Sequence, residues 1–202
     1  MMDNRPIGMF DSGIGGLTVL KEYLKLMPNE NYIYYADTKH LPYGDKTKEQ
    51  IISYAEEIVE TLLAKNVKAI VIACGTASSL AYEHLKAKYD MPLFDIITPV
   101  AKTITAKNIG VIATQGSVNS HVWENKIREF HPEVTVTSKA CPKLVPLAEK
   151  GMAHSIFARF ALKEYLKELK LGSIESLVLR MHTLSTFCSS HSKRTWQKCG
   201  AH

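Results

Sequence analysis

Short apolar runs alternate with longer stretches of helical period along most of this chain, and few folds satisfy that alternation. The runs lie at Ile7 to Phe10, Tyr32 to Ala36, Ala69 to Ala73 and Leu93 to Ile96, with helical period over Leu17 to Met27, Glu49 to Lys65 and Ser78 to Lys88. After Thr98-Pro99 the pattern restarts. Helical stretches at Val100 to Ala106, Ser120 to Phe130 and Ser155 to Leu169 now alternate with strands at Ile109 to Ala113, Val134 to Ser138 and Ser176 to Leu179. The expectation is an α/β fold of two similar domains with parallel sheets. The first spans residues 1–97 and the second 98–179, the second lacking its last elements. Residues 180–202 carry neither period and read as a tail outside the fold.

Composition narrows the function classes. With 46% hydrophobic and 22% charged residues among 202, nothing suggests disorder. The formal charge of +5 reflects 25 Lys and Arg against 20 Asp and Glu. Part of the excess sits at Lys193, Arg194 and Lys198, so a nucleic-acid partner is not expected. No apolar run approaches a membrane span, and no secretory leader is indicated at the N-terminus, so neither a membrane nor a secretory route is expected. Cysteines at 74, 141, 188 and 199 form no dense framework and imply free thiols in a reducing compartment, the cytoplasm.

The chemistry-bearing residues stand at strand ends, where open α/β sheets bind ligands. Phe10-Asp11-Ser12-Gly13-Ile14-Gly15-Gly16-Leu17 joins a strand to a helix, and reads either as a glycine-rich turn capped by Ser12 or as a loop offering amides to an anion. Asp11 adds a carboxylate that could meet an ammonium or a thiol. Ala73-Cys74-Gly75-Thr76-Ala77-Ser78 puts a cysteine before a helix start, a setting that lowers a thiol pKa, and its small polar neighbours favour an exposed turn over a buried structural cysteine. Pro42-Tyr43-Gly44 and Ala113-Thr114 are weaker signals. Cys141-Pro142 lacks a helix start of its own and reads as a structural thiol, and Glu149 is ambiguous. In the tail, Cys188-Ser-Ser-His191 and Cys199-Gly-Ala-His202 imitate zinc ligand pairs, but their gap is short and no apolar framework surrounds them, so no metal is expected.

Taken in order, Phe10-Asp11-Ser12-Gly13-Ile14-Gly15-Gly16-Leu17-Thr18, Pro42-Tyr43-Gly44, Ala73-Cys74-Gly75-Thr76-Ala77-Ser78 and Cys141-Pro142-Lys143-Leu144-Val145-Pro146-Leu147-Ala148-Glu149 resemble the glutamate racemases, of the aspartate/glutamate racemase superfamily. The resemblance implies a cofactor-independent isomerase that interconverts L- and D-glutamate for peptidoglycan, and so for cell-wall biogenesis and cell shape. It implies two cysteines facing each other across the substrate where two domains meet. Cys74 is then one catalytic base and Asp11 its partner, orienting the ammonium or taking a proton. Asp11, Ser12, Tyr43, Gly44, Gly75, Thr76 and Thr114 would bind glutamate. Removing a proton from one face and returning one to the other requires two bases, and the carbanion between them needs donors such as the Thr76 hydroxyl. The partner is a small molecule, and a homodimer is an assembly the sequence leaves open.

Two departures stand out. Gly75 replaces the family's Asn in Cys-Asn-Thr, which removes an amide donor. After Leu177-Val178-Leu179 the family expects Gly-Cys-Thr-His-Tyr-Pro-Leu with the second cysteine, where this chain reads Arg180-Met181-His182-Thr183-Leu184-Ser185-Thr186. One permitted codon string for those residues is cgg atg cac aca tta tcc act, followed by ttt for Phe187. Read one base later, it gives gga tgc aca cat tat cca ctt, the family's segment. Met181 has a single codon, and it supplies bases for both Gly and Cys. The expectation is an out-of-frame segment from about residue 180, in which Cys188 does not inherit the catalytic role. Little or no racemase activity is then expected of the chain as written. Aspartate racemase and a non-catalytic amino-acid-binding remnant are the alternatives, although the Asp-Ser-Gly-Ile-Gly-Gly and Pro-Tyr-Gly motifs favour glutamate.

Overall fold

The structure, a computed structural model, describes residues 3–149, 152, 155–169 and 174–179. The expectations for the tail after residue 179, its Cys-x-x-His pairs included, lie outside the described residues. The chain forms two compact units that divide between Ile96 and Ile97.

The first unit contains β1 (Ile7–Asp11), α1 (Leu17–Leu26), β2 (Tyr32–Ala36), a 3₁₀ turn (Tyr43–Asp45), α2 (Lys48–Leu63), β3 (Ala69–Ile72), α3 (Gly75–Leu80), α4 (Tyr82–Lys88) and β4 (Leu93–Asp95). Its sheet runs β2-β1-β3-β4 with every pair parallel. β1 is central and buried along its length, because helices cover both faces of a parallel sheet and its residues have no polar side to show. On one face α2 packs Ile51, Ala55, Ile58, Val59 and Leu62 onto Phe10, Ile70 and Ile72. On the other, Met9 and Val71 meet the half-buried Val19, Leu20 and Tyr23 of α1. α1 buries no residue completely and leaves Leu17, Leu24 and Leu26 exposed.

The second unit contains α5 (Thr98–Thr103), β5 (Asn108–Ala113), α6 (Gln115–Asn119), α7 (Val122–Phe130), β6 (Thr135–Ala140), α8 (Leu144–Glu149), α9 (Ile156–Glu168) and β7 (Ser176–Leu179). Its parallel sheet runs β6-β5-β7, and Trp123 and Ile127 of α7 pack with Ile109, Val111 and Val178. Ile156, Phe157 and Phe160 of α9 are exposed.

Three details depart from the period of the sequence. The helix expected from Ser78 to Lys88 starts earlier and breaks at Ala81, since Ser78 and Ser79 turn their hydroxyls back onto the Ile72 and Gly75 carbonyls. The one expected from Ser120 to Phe130 begins at Val122, after His121 with a φ of 52°, and is preceded by the short α6, which was not expected. α8 was not expected. Its Pro146 lies in the first turn, where a missing N–H costs nothing.

The start of α2 is closed by a reciprocal cap: the Thr47 hydroxyl accepts from the Gln50 amide and the Gln50 side chain accepts from the Thr47 amide. Thr47→Ala is expected to lower unfolding free energy by about 1 kcal/mol, read from denaturant titration of the chain. An unchanged midpoint would mean that the cap is idle.

Candidate active site

The site follows from how β1 and β3 end side by side. Phe10 pairs with Ile72, and the ladder continues one step further with the Ala73 amide donating to the Phe10 carbonyl at 2.8 Å. Asp11 is then level with Ala73 and Cys74 stands one residue further out, so the carboxylate and the thiol emerge one step apart at the carboxyl edge of the sheet, near enough to interact by charge. Asp11 is 4% exposed and Cys74 3%.

The loop after β1 folds onto itself. An Asp11 carboxylate oxygen accepts the Gly16 amide at 2.7 Å, and the Tyr34 hydroxyl donates to the Gly13 carbonyl at 2.9 Å. A Cβ on Gly16 would stand 2.6 Å from the Tyr34 hydroxyl and 2.7 Å from the Asp11 Cβ, so only glycine fits. Two expectations are corrected here. The N-cap of α1 is Gly16 and not Ser12, and no side chain caps it. Nor does the start of α1 hold out amides to an anion. Those of Leu17, Thr18 and Val19 bond the carbonyls of Ile14, Gly15 and Gly16 at 3.0–3.1 Å.

Ser12 turns instead to the thiol. Its amide and hydroxyl lie close enough to favour the thiolate, and the Ala77 amide donates to Sγ at 3.5 Å, making Cys74 the N-cap of α3. The expectation of an exposed cysteine with a lowered pKa is also corrected. Burial, with the nearby Asp11 charge second, pushes the thiol up to about 12, against the opposing pull of the Ala77 and Ser12 hydrogen bonds. α3 has only six residues and is too short for its dipole to reverse that.

Tyr43 is 2% exposed, its ring in the same core cluster as Cys74 and Ala77. Its hydroxyl donates to Asp37 at 2.5 Å, and burial and that bond raise its pKa. On this loop the half-buried Gly44 stays nearer to solvent than the Tyr43 ring. Gly75 opens α3, and Thr76 follows it, buried, in the first turn. Thr114 belongs to the second unit, where its hydroxyl caps α6 through the Ser117 amide. Cys141, fully buried, is also pushed up to about 12 by desolvation, and is packed with Ile112, Leu144 and Leu177. α8 begins just beyond it, with the Leu144 amide on the Cys141 carbonyl at 3.1 Å. Sequence reasoning passed over Tyr34, Asp37 and His40, none of which carries a motif of its own. The position of Asp37 one residue past a strand end was the available signal. Among the described residues, no three His, Cys, Asp or Glu side chains gather as metal ligands would, and no helix is long and apolar enough to cross a membrane.

A thiol held this way is a weak nucleophile at rest and a strong base once ionised. Alkylation of Cys74 by iodoacetamide, followed by peptide mass spectrometry, is expected to keep accelerating as pH rises past 9, where an ordinary thiol levels off, toward about 12. A plateau at or below pH 9 would show that the donors outweigh burial.

Against known proteins, residues 19–179 match the family model described as Asp/Glu/Hydantoin racemase. The chain is 46% identical over 182 residues to glutamate racemase 2 of Caldanaerobacter subterraneus subsp. tengcongensis, covering 88% of this chain and 68% of that protein. Among solved structures it is similar to glutamate racemase from Francisella tularensis in complex with D-glutamate, with a TM-score of 0.86 and 35% identity over 91% of this chain and 70% of that one. Glutamate racemase isoform RacE1 from Bacillus anthracis superimposes with a TM-score of 0.86 at 31% identity, covering 92% and 71% of the two chains.

Proposed function

Because the chain belongs to the Asp/Glu/hydantoin racemase family, we propose that it is a glutamate racemase that exchanges the α-proton of L- and D-glutamate to supply D-glutamate for peptidoglycan. The observation that carries the reading is the cluster of Asp11, Ser12 and Cys74 at adjacent strand ends.

Cys74 is the base on one face of the substrate carbon. The α-proton of an amino acid is very weakly acidic, and a thiolate whose conjugate acid sits near 12 is better matched to it than an ordinary one. The thiolate must first form, and the substrate helps. An ammonium brought to Asp11 offsets the charge that opposes ionisation, while the Ser12 amide, the Ser12 hydroxyl and the Ala77 amide hold the thiolate. Thr76, Gly75 and Gly44 line the binding loops, and Tyr43 acts by placing its own backbone. Gly75 gives this chain a weaker hold than an Asn would. No cofactor takes part, since proton transfer at one carbon requires only an acid and a base. The enzyme works in the cytoplasm, and a homodimer is its simplest assembly.

The second base belongs where the family has its other cysteine, after β7. There this chain reads Arg180-Met181, and the family match ends at residue 179. We infer that residues 180–202 are read out of frame. Circular dichroism of D-glutamate solutions tests both points: the chain as written is expected to leave ellipticity unchanged, and a gene read in the shifted frame from residue 180 to drive it to zero. Cys74→Ser in the restored protein is expected to cost at least about 10³-fold in rate. Racemisation by the chain as written would assign the second base to another residue. No racemisation by either, with glutamate bound, would favour the non-catalytic remnant.

A further inference from the structure

Beside the thiol site lies a second buried cluster that the reaction does not use directly. Asp37 follows β2, and its amide donates to the Asp11 carbonyl at 2.9 Å, so the main chain of Asp37 is tied to the strand end that bears the site carboxylate. Its side chain is 5% exposed and receives two donors from the loop that follows. Tyr43 gives its hydroxyl at 2.5 Å, and His40 gives Nδ1 at 2.8 Å and 2.9 Å to the two oxygens. A carboxylate at that depth needs such donors, because burying one unpaired is costly. Nδ1 therefore bears the proton in either charge state of the imidazole, since its lone pair would otherwise face both oxygens.

The same imidazole lies flat on Tyr54 of α2, the ring centroids 3.9 Å apart and the planes 7° from parallel. His40 thus joins three things: the end of β2, the loop leading to Tyr43 and Gly44, and the helix capped by Thr47. The Tyr43 hydroxyl shares Asp37 Oδ2 with His40 Nδ1, and the Tyr43 ring lies in the same core cluster as Cys74. The loop that carries Gly44 is anchored at this point, through a histidine that touches none of the reacting atoms.

We propose that His40 is a positioning residue for glutamate: through Asp37 it fixes the Tyr43 hydroxyl, and with it the main chain at Tyr43 and Gly44, beside the Cys74 thiol. The inference rests on the glutamate reading above. His40→Asn separates positioning from bulk packing, because the Asn amide stands where Nδ1 stands and keeps the donor while losing the ring. His40→Ala loses both.

Calorimetric titration of the full chain with D-glutamate, beside thermal melts of each variant, is the test. His40→Ala and Tyr43→Phe are each expected to weaken binding about tenfold, the double variant little further, and His40→Asn to bind within about threefold of the original chain. Tyr43→Phe removes a single oxygen and keeps the test readable should His40→Ala not fold. Glutamate bound by His40→Ala as tightly as by the original chain would overturn the inference and leave the glutamate reading standing. So would an Asn variant that melts normally yet binds as poorly as the Ala variant. An original chain that binds no glutamate, and still none once residues from 180 are read in the shifted frame, would overturn the glutamate reading and this inference with it.

Discussion

The parallel pairing of β1 with β3 is the constraint on which the site depends. Its last rung, from the Ala73 amide to the Phe10 carbonyl, leaves Asp11 and Cys74 as neighbours at the carboxyl edge. Both strands are held in register by side chains buried on two faces, so a slip of one residue would move Met9 and Phe10 to the wrong sides of the sheet. The geometry of the chemistry is thereby a consequence of the core. No separate device aligns the carboxylate with the thiol.

Around that pair, the first unit spends its polar groups on the loops. The Asp11 carboxylate closes the glycine-rich loop through Gly16, Tyr34 fastens the same loop at Gly13, and Asp37 gathers His40 and Tyr43 into the next one. Ser78 joins the end of β3 to the start of the segment after β4 through its contacts with Ile72 and Ile96. Each loop is tied by side-chain hydrogen bonds, which keeps the groups near Cys74 in place before any substrate arrives.

Much of this could be read before the structure. The apolar runs located the strands because a parallel sheet tolerates little else, and Tyr32 to Ala36 and Ser176 to Leu179 agree with the observed bounds. The places of Asp11 and Cys74 at strand ends were legible. What the sequence hid was burial. Small polar neighbours around Cys74 suggest exposure, yet Thr76, Ser78 and Ser79 fold inward, the two serine hydroxyls onto main-chain carbonyls. The helix breaks at Ala81 and His121 were hidden for a related reason, since no Gly or Pro marks them and the interruptions arise from side-chain hydrogen bonds and from a single positive φ. His40 carried no signal at all, because its partners are set by the turn of the loop and by the ring of Tyr54, the seventh residue of α2.

The burial of Cys74 has a bearing on endurance. Oxidants and electrophiles attack thiolates, and their damage runs from sulfenic acid to products that cells cannot reverse. A cysteine kept protonated and covered while the site is vacant presents little thiolate to them. In the reaction proposed above, ionisation waits for a cation to neutralise Asp11, which would confine reactivity to the interval when an amino acid already occupies the ground in front of the sulfur. The same desolvation that would make Cys74 a strong base also shields the resting thiol from such damage.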